Sequence, residues 1–257
     1  MKGQAWQDLA AEIAAWRDAG QTVEFWWRDD DATRPAPALT RLLRLASRSE
    51  VPLALAVVPE VAQAAAFAET RSEVSVIQHG VDHVNRAAPG EKKTEFPASE
   101  PVGCALGRLI RGRRKLESIA GDRFIPVLAP PWNRLSAGLI PHLAEAGFGG
   151  FSTFGVRKVT NPAPAVIAVN THVDIVDWKG SRGFAGVDNV LAQAVRHLRA
   201  RRVGGADAGE PTGWLTHHAV HDEDCWTFLE SLFDVTRSMS GIRWRSAVGL
   251  FRGGSGN

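Results

Sequence analysis

The chain has little cysteine, no long apolar run and almost no net charge, and each absence removes a class of protein. Two cysteines, Cys104 and Cys225, stand among 257 residues. They are too few for a disulfide framework and lack the spacing of a cysteine metal site. Such usage is typical of a reducing compartment, so we expect a cytoplasmic protein.

No stretch of the sequence approaches the ~20 apolar residues that a membrane-spanning helix needs. The N-terminal region also carries charges where a secretory signal has its apolar centre. The net charge is +2, and basic and acidic residues alternate through most of the chain. We therefore expect no membrane span and no nucleic-acid partner, while the oligomeric state is left open.

Apolar residues make up 44% of the chain, which is ample for a substantial core. Short apolar strands alternate with segments of helical periodicity, a pattern typical of parallel βαβ units. Such units build a doubly wound sheet or an α/β barrel, and we expect a distorted (β/α) barrel with parallel strands and outer helices. We expect residues 1–252 to form one domain and residues 253–257 a disordered tail.

The boundaries that follow from this pattern are these. The predicted strands are residues 23–27, 53–58, 74–78, 124–128, 150–154, 165–169, 173–176, 213–216 and 242–247. The predicted helices are one that ends near Gly20 and residues 38–47, 60–69, 102–119, 137–146, 187–201 and 224–237. Residues 85–101 are polar and rich in charge, as in a long loop near a site.

Three consecutive carboxylates, Asp29, Asp30 and Asp31, directly follow the first predicted strand. Like charges so close together are unfavourable unless a cation or a proton relieves them. The carboxyl ends of strands are also where α/β folds bind ligands. An Asp-rich turn with one Asp as a helix cap is an equally good interpretation of this run alone.

His79 and His83 begin at the end of another predicted strand. Two histidines four residues apart lie on one side of a helical turn and can reach one ion. Position 80 is Gly rather than the Glu of a zincin motif, so a general base must come from elsewhere. With the Asp run, the pair favours a metal site with an open position for water or substrate.

His217 and His218 follow a later strand and are candidates for a general acid. His217 and His221, also four apart, form a rival metal pair. After the fourth predicted strand, Pro131 fixes the backbone and Trp132 offers a platform for a sugar face. A backbone N–H of that rigid loop could stabilise an oxyanion.

The order of these motifs along the chain resembles that of the NodB-homology polysaccharide deacetylases. Members of that family are distorted α/β barrels that hydrolyse acetyl groups on chitin, peptidoglycan and related sugars. The resemblance spans about residues 25–218. The family's Asp-Asp pair is matched by Asp30 and Asp31, with Asp29 as an alternative register, and its His-x-x-x-His pair by His79 and His83. Its Asp-x-x-Asp-Trp motif is matched at Asp174, Asp177 and Trp178, and its Leu-x-His at Leu215 and His217.

The resemblance implies roles for these residues. Asp30 is the base, while Asp31, His79 and His83 hold a divalent metal, most simply zinc, with cobalt or nickel as other candidates. His217 is the acid, with His218 as an alternative, and Asp177 an orienting residue. The family's Arg-x-Pro loop is matched in part only, because Ala129 stands where Arg is expected. Arg28 or Arg134 would then orient the base.

The implied substrate is an acylated sugar or glycoconjugate that loses an N-acyl, most simply acetyl, group. Two rivals remain. Asp29-x-Asp31-x-Thr33 after an apolar strand also fits the nucleophile motif of haloacid-dehalogenase-type phosphatases, which use magnesium, but it leaves both metal-type histidines unexplained. The other rival is a non-catalytic carbohydrate-binding relative that has lost turnover with the missing Arg.

Overall fold

The computed structural model describes residues 3–67 and 72–252. Within these ranges nine parallel strands form one curled sheet with helices around it. The strands are β1 (Val23–Ala32), β2 (Leu53–Val57), β3 (Val74–His79), β4 (Phe124–Ala129), β5 (Gly150–Phe151), β6 (Ile167–Ala168), β7 (Val173–Asp174), β8 (Thr212–Thr216) and β9 (Ile242–Trp244). The helices are α1 (Gln4–Asp18), α2 (Pro37–Ser49), α3 (Val102–Ala120), α4 (Val187–Arg202), α5 (Glu223–Ser238) and α6 (Ala247–Phe251).

Strand β1 is an interior strand of the sheet, between β2 and β8. The strand order is β6-β5-β4-β3-β2-β1-β8-β7, and β9 pairs with the first half of β1. In the described part of the chain no ladder joins β6 to β7, so the barrel stays open on that side. The predicted distorted (β/α) barrel is thus confirmed.

The two faces of β1 pack against different layers. Phe25 and Trp27 point outwards into the core that the sheet forms with the helices. Trp26 points inwards and fills the barrel together with small residues such as Ala54 and Ala56. This alternation follows from the two-residue period of a strand, and it determines which side chains near the carboxyl end of β1 point into the barrel.

Two predicted helices are wrong. In place of helix 60–69 the described residues form two short 3₁₀ turns, because the backbone is extended at Ala62; the last two residues of that prediction lie outside the described residues. In place of helix 137–146 the chain makes consecutive i→i+3 turns around Ile140–His142. Pro141 has no N–H for a helical bond, and the segment ends at Gly147 with φ 81°.

Several strand boundaries also change. β1 continues five residues beyond the predicted end at 27, whereas the predicted strands 150–154, 165–169 and 173–176 shrink to two residues each. The predicted strand 242–247 stops at Trp244, where Ser246 caps the unpredicted helix α6 by accepting a hydrogen bond from Gly249 N–H. The predicted tail, residues 253–257, lies outside the described residues.

No helix in residues 3–67 and 72–252 is both long and apolar enough to cross a membrane. Cys104 is an exposed free thiol and Cys225 a buried one. The compartment stays a prediction.

A buried histidine stack lies below the amino end of β8. The rings of His172 and His197 lie 3.4 Å apart at 13°, and Glu210 Oε2 is 3.3 Å from His172 Nε2. Nearly parallel rings cannot aim both nitrogen lone pairs at one ion, and His172 Nδ1 accepts the N–H of Gly213. These three side chains are therefore a polar element of the core rather than a metal site.

Acid should destabilise the fold through this stack. Burial, with His172 and Arg201 nearby, lowers the pKa of His197 to about 2, so below about pH 6.5 the unfolded chain takes up a proton that the folded chain does not. Stability is present above pH 6.5 and is lost as pH falls, by about 1.4 kcal/mol for this group between pH 7.5 and 5.5.

Urea titration measures the unfolding free energy at each pH. In the variant His197→Asn, the loss of unfolding free energy between pH 7.5 and 5.5 should be smaller than in the wild type by about 1.4 kcal/mol. His142→Gln is the control for removing a histidine, since the side chain of His142 is 41% exposed. An unchanged slope in His197→Asn would contradict the assignment.

Candidate active site

The carboxyl ends of the strands bring the candidate side chains to one mouth of the barrel. Asp30 and Asp31 lie in the last residues of β1, His79 is the last residue of β3, and His217 follows β8. Asp29, Asp30 and Asp31 were predicted to follow their strand, but they lie within it. The alternation of strand side chains therefore decides where each carboxylate points.

A break in that alternation turns two consecutive carboxylates into the same cleft. Asp31 has φ 71°, and the β1–β2 register shifts between Asp29 and Ala32, as in a bulge. Asp30 points into the barrel, as Trp26 does, because the two residues are four apart on the same strand. Asp31 would face outwards on a regular strand, but the bulge turns its carboxylate towards His79 and His83.

Asp30 is held by a buried arginine on its own strand. Arg28 is fully buried, and its Nε lies 2.9 Å from Asp30 Oδ1 while its Nη2 donates to Asp30 Oδ2 at 3.0 Å. Arg28 Nη1 donates to the hydroxyl and the carbonyl of Ser152, across the barrel, and Nη2 also donates to Asn133 Oδ1. This fork fixes the orientation of the carboxylate.

Asp31, His79 and His83 form a three-atom donor set. Asp31 Oδ1 lies 3.2 Å from His79 Nε2 and 3.3 Å from His83 Nε2. Two ligands of a tetrahedral ion with bonds of about 2.0–2.1 Å lie about 3.3 Å apart, so the spacing fits a zinc-type ion with open positions. Burial raises the pKa of Asp31, but its hydrogen bonds to the two histidines outweigh burial and lower it.

The same carboxylates act on His79. Burial lowers the pKa of His79, but the charges of Asp30 and Asp31 outweigh it and the net pKa is raised.

The turn between the two histidines wraps around a buried glutamate. Glu95 accepts hydrogen bonds from the N–H groups of Val81 and His83, and Arg108 donates to the same carboxylate. Gly80, with φ 56°, lies against this carboxylate: a Cβ there would be 2.1 Å from Glu95 Oε2 and 2.6 Å from Pro131 Cδ. Glycine is therefore required between the histidines, and Pro131 is part of the support.

His217 faces Asp30 from the opposite wall. Its Nε2 is 3.9 Å from Asp30 Oδ2, and its ring is nearly perpendicular to that of Trp178, with the ring centroids 4.7 Å apart. Asp174 Oδ2 accepts the indole N–H of Trp178 at 2.8 Å. Burial raises the pKa of Asp174, and the nearby His217 opposes part of that rise.

Two residues expected to orient reacting groups lie elsewhere. The Asp177 carboxylate accepts the N–H groups of Lys179 and Gly180 and so shapes its own loop. The Arg134 guanidinium donates to the carbonyl of Lys93, whereas Arg28 meets Asp30. Trp132, with φ 55°, stands beside the metal-type histidines with its ring 4.5 Å from His83.

The alternative residues Asp29 and His218 pair with each other. Asp29 Oδ1 lies 2.5 Å from His218 Nδ1, and both side chains are buried. A phosphatase nucleophile must meet its substrate, and Asp29 is enclosed on the outer side of β1. In the rival metal pair, His221 Nε2 accepts the backbone N–H of His217 instead of sharing an ion with its imidazole. Burial lowers the pKa of His221 to about 4.

Sequence reasoning missed four residues of this region: Ser152, Asn133, Glu95 and Thr216. Asn133 and Thr216 adjoin motif residues, and Glu95 lies inside the predicted loop 85–101, so each was near a signal. Ser152 follows a strand of two residues and had none.

Comparison with known structures shows the fold. A protein of Mycobacterium smegmatis assigned to the polysaccharide deacetylases is 16% identical with TM-score 0.63, over 91% of this chain and 90% of that one. A family 4 carbohydrate esterase from Streptomyces lividans in complex with acetate is 14% identical with TM-score 0.54, over 86% and 90%.

A family 4 acetyl xylan esterase from Clostridium thermocellum in complex with a cobalt ion is 16% identical with TM-score 0.50, over 89% and 90%. Neither the scan against protein-family models nor the search of curated proteins found a match. The barrel is thus similar to that of family 4 carbohydrate esterases and polysaccharide deacetylases.

The need for glycine at position 80 gives a matched test. Gly80→Ala should destabilise the protein by about 3 kcal/mol, because it combines a positive φ with a clash against buried atoms. Gly90→Ala is the control, since Gly90 also has a positive φ, 84°, but nothing within 4 Å of its Cβ position; it should lose about 1 kcal/mol. Urea unfolding measures both, and equal losses would contradict the packing argument.

Proposed function

We propose that the protein is a divalent-metal-dependent hydrolase that removes an N-acyl group, most simply acetyl, from a sugar or glycoconjugate. One observation carries the proposal: a carboxylate fixed by an arginine, Asp30, faces the imidazole of His217 at 3.9 Å beside a three-atom donor set. Base, acid and metal ligands in one cleft are what amide hydrolysis requires.

The metal site of this proposal consists of Asp31, His79 and His83. Their one oxygen and two nitrogens suit zinc, and cobalt and nickel are the other candidates. When bound, such an ion polarises the acyl carbonyl and lowers the pKa of an attacking water. The protein's part is to hold the three donor atoms through the bulge of β1 and the Glu95-supported turn.

The remaining residues move the protons. Asp30 takes the proton of the attacking water, with Arg28 keeping its carboxylate aimed into the cleft. His217 then protonates the departing amine, since its Nε2 faces the same space. The N–H groups of Asn133 and Arg134 close the turn after β4 by donating to Pro130 and Pro131. We assign the N–H of Trp132 to the developing oxyanion.

Replacing the base and a ligand separates chemistry from metal binding. Asp30→Asn should lose turnover, by roughly a thousandfold or more, and still bind the ion, because it removes the proton acceptor but no ligand. His79→Ala should lose both. The control is His142→Ala, because the His142 side chain is 41% exposed and, among the described residues, pairs only with Glu145. The measurements are elemental analysis of purified protein and acetate release from oligomers of N-acetylglucosamine and from acetylated xylo-oligosaccharides.

The outcomes divide the candidate functions. An active Asp30→Asn enzyme would contradict the assignment of Asp30 as the base. Bound ion without acetate release by the wild type would favour a non-catalytic carbohydrate-binding protein, and activity that needs magnesium on a phosphate ester would favour the phosphatase.

The arginine that orients the base can be identified by a matched pair. Arg28→Lys should lower kcat by about tenfold or more, because an ammonium cannot bridge Asp30, Ser152 and Asn133 at once. Arg134→Lys should stay within about twofold of wild type, since Arg134 meets a loop carbonyl rather than Asp30. Steady-state kinetics measures both, and the reverse order would transfer the role to Arg134.

A further inference from the structure

Asp29 is a charged residue in an otherwise apolar layer. It lies on the outward face of β1, which it shares with Phe25 and Trp27, and it is fully buried. Burying a carboxylate is costly unless its oxygens are hydrogen-bonded, so its partners are informative.

Both oxygens of Asp29 have partners from the end of β8. Oδ2 accepts the hydroxyl of Thr216 at 2.6 Å and the backbone N–H of His218 at 3.0 Å, while Oδ1 faces His218 Nδ1 at 2.5 Å. The Thr216 hydroxyl in turn accepts the indole N–H of Trp27 at 2.8 Å. The network is closed and runs between two strands.

The network lies where the backbone pairing of β1 and β8 ends. Asp29 and Thr216 are the last register pair of the β1–β8 ladder. One residue further, β1 approaches its bulge and β8 leaves the sheet, so backbone pairing ends. The Asp29 carboxylate takes the His218 N–H and thereby extends the connection between the strands by one step, with a side chain in place of a backbone carbonyl.

The residues next to this link are the proposed base and acid. Asp30 follows Asp29, and His217 precedes His218, so the link fixes both backbones at the point from which the reacting side chains leave. We propose that Asp29 and His218 are a positioning pair that sets the separation of Asp30 and His217 and anchors the bulge that aims Asp31. This inference rests on the proposed function.

The pair also assigns the two adjacent histidines different tasks. His218 directs Nδ1 to Asp29 and is 5% exposed, whereas His217 directs Nε2 to Asp30. His217 is then the acid, and His218 acts through it.

Two substitutions of His218 distinguish positioning from direct chemistry. His218→Asn keeps an N–H donor near the place of Nδ1, so it should hold Asp29 and keep kcat within about threefold of wild type. His218→Leu removes the Nδ1 contact and Asp29→Ala removes every acceptor of the link, so both should lower kcat by about tenfold or more with KM within about twofold, since small misplacements of reacting groups act on the chemical step. The control is Glu210→Gln, a buried carboxylate before β8 that accepts the N–H groups of Arg157 and Asn170; it should lower stability and leave kcat unchanged.

A second readout does not need turnover. Because the link anchors the strand that presents Asp31, His218→Leu and Asp29→Ala should weaken Co²⁺ binding by about tenfold, measured by titration of the visible absorption, while His218→Asn and Glu210→Gln should not. Thermal unfolding verifies that each variant is folded.

The outcomes separate this proposal from the proposed function. Equal losses in His218→Asn and His218→Leu would overturn positioning and make His218 a reacting group. Wild-type kcat and Co²⁺ affinity in both His218→Leu and Asp29→Ala would overturn the pair and leave the hydrolase intact. A wild type that binds Co²⁺ but releases no acetate, with the expected order of affinities among the variants, would reject the hydrolase and keep the pair.

Discussion

The candidate site depends on one departure from regular strand geometry, the left-handed backbone at Asp31. A regular strand sends consecutive side chains to opposite faces, so two adjacent carboxylates cannot serve one cleft. With φ 71° at Asp31 and a shift of register beside it, Asp30 and Asp31 both face the barrel mouth. A strained position of this kind persists when its surroundings over-determine it. Here the ladder to β8 ends at Asp29, directly before the bulge, and the histidine nitrogens hold the Asp31 carboxylate after it.

The three carboxylates are tolerated because each has a different partner. Asp29 is paired with His218 outside the barrel, Asp30 with Arg28 inside it, and Asp31 with the two metal-type histidines at the rim. A buried charge without such a partner would be strongly unfavourable. From the sequence alone, three consecutive carboxylates should repel one another. In the folded chain each carboxylate instead has its own partner, although all three lie on one strand.

The sequence could predict what depends on local periodicity. The barrel, the helices α3, α4 and α5, and the strand ends that carry Asp30, His79 and His217 follow from apolar spacing and from where polar residues interrupt it. The predicted helices 60–69 and 137–146 are wrong because similar apolar spacing also fits a string of turns, and because Pro141 has no N–H for a helical hydrogen bond. No local sequence pattern predicts that Glu95 accepts hydrogen bonds from the turn between His79 and His83, or that Ser152 accepts one from Arg28. Both are contacts between separate segments of the chain.

The position of the arginine shows why motifs are best compared by geometry. In the family that the motifs resemble, an arginine of the loop after the fourth strand orients the base, and here that loop has Ala129. Arg28 comes instead from β1, two residues before Asp30, where the strand period puts both side chains on the inner face. The loop still contributes, because Asn133 accepts from the same guanidinium. A guanidinium can thus reach the proposed base, Asp30, from a different backbone position, so a residue missing from a sequence motif does not by itself imply a missing interaction.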